Sequence, residues 1–255
     1  EVALGMGDNI KYCYNIGTVV GYGGYAAGIN GSSSGMTMGS MFNRFNQCYN
    51  LGKVIGEGND TKAAGISGMN GEYLYAGGSY TVDCFNYGKV SAKNSENIAA
   101  ITALGFESNE NSYYLEGSAG NSPIDSSKAV VKNSAAFSGG EAAYLLDRGD
   151  SARRTENWSQ GNKYPIPSSS ENPSLYKIKA EVTGEGENKI IYKDNEASED
   201  NPAYVYAPAC KSLNFTYNAA DGYILNKVNY NEEDLDVSFS EESKTFNVSL
   251  KEKKD

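Results

Sequence analysis

Cys13-Tyr14-Asn15-Ile16-Gly17-Thr18-Val19 returns as Cys48-Tyr49-Asn50-Leu51-Gly52-Lys53-Val54 and again as Cys84-Phe85-Asn86-Tyr87-Gly88-Lys89-Val90, at spacings of 35 and 36 residues. Each copy is followed, 13 or 15 residues after its Cys, by a small-residue string: Ala26-Ala27-Gly28-Ile29, Ala63-Ala64-Gly65-Ile66 and, imperfectly, Ala99-Ala100-Ile101. A repeat of this length is one supersecondary unit that buries its apolar face only against its neighbours. Short alternating runs separated by Gly, Asn and Ser predict strands and turns from Glu1 to about Gly120.

On a strand, Cys, Asn, Gly and Val of the string share one parity, while Tyr14 and Ile16 share the other. The first set recurs unchanged and the second varies through Ile16, Leu51 and Tyr87, so Cys13, Cys48, Cys84, Asn15, Asn50 and Asn86 are expected inward. A buried amide must be paired, and stacked copies pair each amide with the one above and below; Asn15, Asn50 and Asn86 are read as that ladder. The cysteines are read as a column of thiols, because side chains on neighbouring in-register strands point the same way, which is poor disulfide geometry. An altered fourth copy, Ser112-Tyr113-Tyr114-Leu115-Glu116-Gly117, places Ser 28 residues after Cys84 and marks the end of the array. On the opposite parity, Tyr14, Tyr49, Phe85 and Tyr113 are expected to form an aromatic row along an outer face, able to stack on sugar rings or partner side chains. The reading favoured over that one is a ring column that stabilises the sheet or is covered by a loop or the cap.

These strings resemble the GLUG-type repeats of bacterial secreted and surface proteins, in which Gly-Gly-(Leu/Ile)-x-Gly alternates with Asn-(Ser/Cys)-Tyr-x-x-Gly-x-Val. The resemblance covers about the first half of the chain, with Ala27 and Ala64 where Gly is usual. Ala136 to Leu146, Trp158-Ser159-Gln160 and Tyr164-Pro165 are similar to the segment that closes such arrays. The resemblance implies an extracellular or cell-surface bacterial protein.

Within residues 121–167, read as a cap, Ser138 is a candidate N-cap with Glu141 as its capping-box partner. Ala142, Leu145 and Leu146 then complete a helix near residues 139–147. That helix and Trp158 are expected to cover the end of the array. Pro167-Ser168-Ser169-Ser170-Glu171-Asn172-Pro173 is a polar linker, with the boundary at residues 168–173. Residues 174–255 are read as a small all-β module, with strands at 176–182, 189–193, 204–207, 213–218, 223–230 and 245–250. Gly222-Tyr223-Ile224 through Val228 resembles the signature of bacterial surface modules of the internalin B-repeat type.

Arg148-Gly149-Asp150 matches an integrin-recognition tripeptide, but chance and helix termination, with Gly149 as a helix C-terminal residue, are the favoured reading. The acidic runs around Asn195 to Asn201 and Glu232 to Asp236 lack EF-hand spacing and read as solvated turns. The absence of His excludes Ser-His-Asp and Cys-His pairs and any His-ligated metal, and there is no Cys-x-x-Cys. No metal or cofactor is expected. Acids in the repeats (Glu57, Asp60, Glu72, Asp83, Glu96) do not recur in register, and Glu57 and Asp83 are read as loop residues; catalysis is not expected. A formal charge of −10 disfavours nucleic acid and anionic membranes, and no apolar run is long enough to span a bilayer. The chain opens at Glu1 without an initiator Met or a signal-like apolar run, as it would after removal of a leader or as a piece cut from a longer chain.

The fold class expected is all-β: a short parallel β-solenoid over residues 1–120, a right-handed β-helix of three to four coils, followed by the helix-containing cap and a small β-sandwich-like domain. The function expected is a non-catalytic binding or adhesion module for a host or cell-wall glycan or protein. A structural spacer is the alternative, and a polysaccharide-processing enzyme a more remote one.

Overall fold

The computed structural model describes residues 9–31, 44–68, 80–103, 109–120, 129–148, 158–183, 187–192, 195–198, 203–208, 212–222, 224–230, 233–235, 239–240 and 244–249. It is all-β in class, and two short α-helices occur among the described residues. None of the helices is long and apolar enough to cross a membrane. Two compact units are present, Glu1–Ser134 with Arg148–Thr155, and Ala135–Asp147 with Glu156–Asp255. Residues 121–167, read as a cap, thus divide between the two.

In the first unit, repeat one contributes β1 (Asn9–Lys11), β2 (Tyr14–Asn15), β3 (Thr18–Gly21) and β4 (Tyr25–Ala27). Repeat two contributes β5 (Arg44–Asn46), β6 (Tyr49–Asn50), β7 (Lys53–Gly56) and β8 (Lys62–Ala64), and repeat three β9 (Tyr80–Val82), β10 (Phe85–Asn86), β11 (Val90–Ala92) and β12 (Ile98–Ala99). Repeat four supplies β13 (Asn109–Glu110) and β14 (Tyr113–Leu115), after which β15 (Val130–Lys132) is added. Four parallel sheets each collect one strand per repeat: β1-β5-β9-β13, β2-β6-β10-β14-β15, β3-β7-β11 and β4-β8-β12. Tyr14 lies opposite Tyr49, Tyr49 opposite Phe85 and Phe85 opposite Tyr113, while Val19, Val54 and Val90 form a parallel file in the third sheet. Phe45, Cys48, Val54, Ala63, Ile66, Cys84, Val90 and Ile101 are buried together as the core between these sheets.

A sharp corner joins the first sheet to the second. The residue before each Cys, or before Ser112, is left-handed: Tyr12 (φ 56°), Gln47 (54°), Asp83 (53°) and Asn111 (45°). None is Gly, and Gln47 and Tyr12 pay a steric penalty that the surrounding stack must hold in place. Asp83, read as a loop residue, is instead fully buried at this corner, where Asn111 Nδ2 donates to its Oδ1 at 2.6 Å.

In the second unit, α1 (Ser134–Gly139) leads to α2 (Glu141–Leu146), and Gly140 between them has φ 98°. The single helix capped by Ser138 is therefore corrected to two short ones. Ser138 sits inside α1, where its Oγ donates to the Ala135 carbonyl at 3.5 Å, and Gly140 at the start of α2 offers no side-chain cap. The break follows from packing, since a Cβ at Gly140 would approach Tyr206 at 3.0 Å and Leu175 at 3.1 Å. Trp158 is buried in β16 (Trp158–Gln160), paired with β17 (Pro165–Pro167), and its backbone N–H donates to Asp147 Oδ1 at 2.9 Å.

Beyond it, β18 (Leu175–Ala180) pairs antiparallel with a later strand, Ala203–Pro208. Between them come β19 (Lys189–Tyr192) and β20 (Asn195–Ser198); with β21 (Ala203–Pro208) and β22 (Ser212–Asn218) numbered on, the chain finishes through β23 (Val228–Tyr230), β24 (Glu233–Leu235), β25 (Phe239–Ser240) and β26 (Thr245–Ser249). A five-stranded antiparallel sheet has the order β20-β19-β22-β26-β25. Tyr192, Val205, Ala207, Leu213, Phe215 and Phe246 pack as its core, with Phe215 stacked on Phe246 at 5.1 Å. Asn195 and Glu196 belong to a strand rather than a solvated turn: they lie opposite Tyr192 and Ile191 in β19, and the Glu196 carboxylate pairs diagonally with Lys189 Nζ at 2.8 Å. Likewise Glu233 and Asp234 lie in β24, paired with β23.

In the repeats, close approach is set by two glycines of the Asn-x-Gly string. A Cβ on Gly52 would collide with the Gly17 carbonyl and stand 2.6 Å from Asn15 Nδ2; on Gly88 it would collide with the Gly52 carbonyl and stand 2.8 Å from Asn50 Nδ2. On Gly17 it would meet nothing nearer than Asn15 Oδ1 at 3.7 Å. Gly52→Ala is therefore expected to destabilise the protein by about 3 kcal/mol, while Gly17→Ala stays within about 0.5 kcal/mol of wild type. Urea unfolding of the two variants checks this; equal effects would contradict the packing.

Candidate functional site

Three side-chain columns run across the repeats. In the first, Asn15 Nδ2 donates to Asn50 Oδ1 at 2.8 Å and to the Gly17 carbonyl at 3.1 Å. Asn50 Nδ2 does the same to Asn86 Oδ1 at 2.8 Å and to the Gly52 carbonyl at 3.1 Å. The carboxamide oxygens accept from their own Gly N–H two residues on, Gly17 to Asn15 at 3.0 Å and Gly52 to Asn50 at 3.2 Å. Asn50 thereby uses both of its N–H donors and both oxygen lone pairs, which is why a fully buried amide is tolerated. The column stops at Ser118, whose Oγ accepts from Asn86 Nδ2 at 3.3 Å.

The second column is made of thiols. Cys13, Cys48 and Cys84 are all free; Cys48 and Cys84 are buried and Cys13, at the outer repeat, is exposed. The Cys48 N–H donates to Cys84 Sγ at 3.4 Å, and the Cys84 thiol reaches the carbonyls of Val82 at 3.3 Å and Phe45 at 3.4 Å. Ser112 performs the same duty in repeat four: its Oγ accepts from the Cys84 N–H at 3.3 Å and reaches the Glu110 carbonyl at 3.0 Å and that of Thr81 at 3.3 Å. Burial pushes the Cys84 thiol well up and, with the neighbouring Cys48 sulfur, raises Cys13 as well, so neither is an activated nucleophile.

In the third column, Tyr14 stacks on Tyr49 with centroids 5.2 Å apart and Tyr49 on Phe85 at 5.1 Å. An aromatic row exposed along its length, as expected from parity, is corrected here. Tyr14 is 59% exposed and Tyr49 partly so, whereas Phe85 is 0% and Tyr113 8% exposed. Tyr14 covers a face of Tyr49 and Tyr49 a face of Phe85, so among the described rings of the column Tyr14 is the most exposed. Tyr113 is further held by its hydroxyl, which donates to Asn111 Oδ1 at 2.7 Å. Beside Tyr14, repeat one also exposes Ile16 (72%), Val20 (42%) and Tyr22 (81%).

The left-handed corner column escaped the reading of the repeat, although Asp83 and Asn111 are residue types that favour that conformation. Arg148 is exposed, and Gly149 and Asp150 lie outside the described residues, as do Asp194, Glu232 and Asp236. Among the described residues no group of three or more His, Cys, Asp or Glu side chains is placed to hold a metal ion. Comparison with family models, curated proteins and solved structures returns no match to this chain.

The thiol column makes a direct forecast. With native protein at neutral pH, iodoacetamide is expected to modify Cys13 while Cys48 and Cys84 stay protected until the chain is unfolded, as read by peptide mass spectrometry. Modification of Cys48 at the rate of Cys13 would show that the column is open.

Proposed function

We propose that the chain is a non-catalytic binding module of a bacterial secreted or cell-surface protein, whose four parallel sheets are the walls of a short right-handed β-solenoid and whose second unit is a small β-sandwich-like module. In-register pairing of the repeats supports the solenoid, and the GLUG-like strings support the cellular setting. The observation that carries binding is the apolar set of repeat one, in which Tyr14, Ile16, Val20 and Tyr22 are exposed within nine residues of one another. Exposed apolar side chains gathered in one repeat are surface that a glycan or protein ligand can cover. A spacer is the second reading; the continuous amide and ring columns favour a stiff body, but a pure spacer gains nothing from bare aromatic surface.

Glycan and host-protein arrays with wild type, Tyr14→Ala and Tyr49→Ala separate the two. The binding reading expects Tyr14→Ala to weaken retention by about tenfold or more with Tm changed by under about 2 °C, and Tyr49→Ala to lower Tm because its ring is sandwiched between Tyr14 and Phe85. Retention by no ligand at all would leave the spacer.

A further inference from the structure

The thiols of Cys13, Cys48 and Cys84 are held in one orientation. Each reaches the carbonyl two residues before it, Lys11 at 3.4 Å, Asn46 at 3.5 Å and Val82 at 3.3 Å. Cys48 and Cys84 also reach the same place in the preceding repeat, the carbonyls of Ile10 at 3.5 Å and Phe45 at 3.4 Å. Because the repeats pair in parallel register, neighbouring sulfurs are offset by the strand spacing, about 4.8 Å. That is far from the ~2.05 Å of a disulfide. A bond from a thiolate to zinc, a d10 ion, is about 2.3 Å, so two such bonds in line span about 4.6 Å and fit the offset. Side chains stand roughly perpendicular to the sheet, so a line through the sulfurs meets each Cβ–Sγ bond close to the bent angle at which thiolates bind metals. Zinc itself asks for four ligands in a tetrahedron, and among the described residues no three His, Cys, Asp or Glu side chains are placed to hold an ion. A linear ion asks for two.

Cys48 and Cys84 are both buried, so water is kept from the gap between them. The Cys48 N–H, which donates to Cys84 Sγ at 3.4 Å, steadies the charge on a thiolate there. Soft thiolate ligands select Cu(I), a d10 ion that takes two ligands in line. We propose that Cys48 and Cys84 are a two-sulfur site for Cu(I), bound between repeats two and three. Two S–H bonds give way to two S–Cu bonds, both protons leave to solvent, and no electron is transferred. Cys48 also faces Cys13, but a linear ion uses the Cys48 sulfur once, and the inner gap is the one lined by two buried thiols. The inference stands apart from whatever repeat one binds.

The probe is Ag(I), which shares the charge and linear preference of Cu(I) and needs no reductant. It is titrated in chloride-free buffer into protein carrying Cys210→Ser, because Cys210 lies outside the described residues. Expected are one Ag(I) per chain by native mass spectrometry, a sulfur-to-silver ultraviolet band and two sulfur neighbours by X-ray absorption. In competition with a free monothiol, Cys48→Ser should bind at least about a hundredfold more weakly, since it leaves no two adjacent sulfurs, while Cys13→Ser binds as its parent does. Ser at these positions keeps the stack, because Ser112 already fills the place in repeat four: its Oγ accepts from the Cys84 N–H at 3.3 Å and reaches the Glu110 carbonyl at 3.0 Å. Cu(I), supplied anaerobically with ascorbate, should bind with the same stoichiometry and the same loss in Cys48→Ser. The proposal is overturned if Cys48→Ser binds Ag(I) as tightly as its parent, if Cys13→Ser loses the ion, if X-ray absorption shows nitrogen or oxygen neighbours in place of the second sulfur, or if Cu(I) does not bind.

Discussion

A buried carboxamide has four hydrogen-bonding positions, and at Asn50 the stack meets every one of them. An unpaired buried polar group costs about 1–3 kcal/mol, so an Asn at this place demands another Asn one repeat above and below, at a spacing its neighbours must respect. The Gly two residues on supplies both local bonds and, having no Cβ, lets the adjoining repeat come close enough for the amides to meet. Sheet register, the ring stack and the thiol column all follow from that approach, because parallel strands in register put like residues over like.

The same constraint accounts for how the array ends. Gly28 and Gly65 press against the amides of Asn50 and Asn86, the Asn of the next repeat in each case. Ala100 follows Ala99, which is in register with Ala64, and so stands where Gly65 does; the residue in register with Asn86 is Tyr114, and the amide is gone. A methyl group appears where no further Asn has to be admitted. Ser118 takes the last amide hydrogen bond and Ser112 the last thiol position, so repeat four keeps the polar bonds while dropping the residues that would require a fifth.

What could be read from the residues alone was whatever depends on repetition. Spacing places Tyr14 over Tyr49 and Asn15 over Asn50, and parity separates amides from rings. Exposure is not a repeating property: Tyr14 and Phe85 occupy the same position, yet one is an outer ring and the other an inner one. The left-handed corner was hidden because Tyr12 and Gln47 have no preference for it and adopt it only when the stack holds them there. In the second unit, Gly140 looked like part of a capped helix because its close contacts with Leu175 and Tyr206 are distant in sequence. Glu196 looked like a turn residue because an exposed position on a strand accepts a charge.

Side-chain amide NMR tests the central claim most directly. With uniformly labelled protein, the account predicts cross-relaxation from the Nδ2 hydrogens of Asn15 to Asn50 and of Asn50 to Asn86, together with hydrogen exchange at Asn50 Nδ2 as slow as that of buried backbone amides. Exchange of Asn50 at the rate of a solvent-exposed carboxamide, with no cross-peak to Asn86, would contradict it.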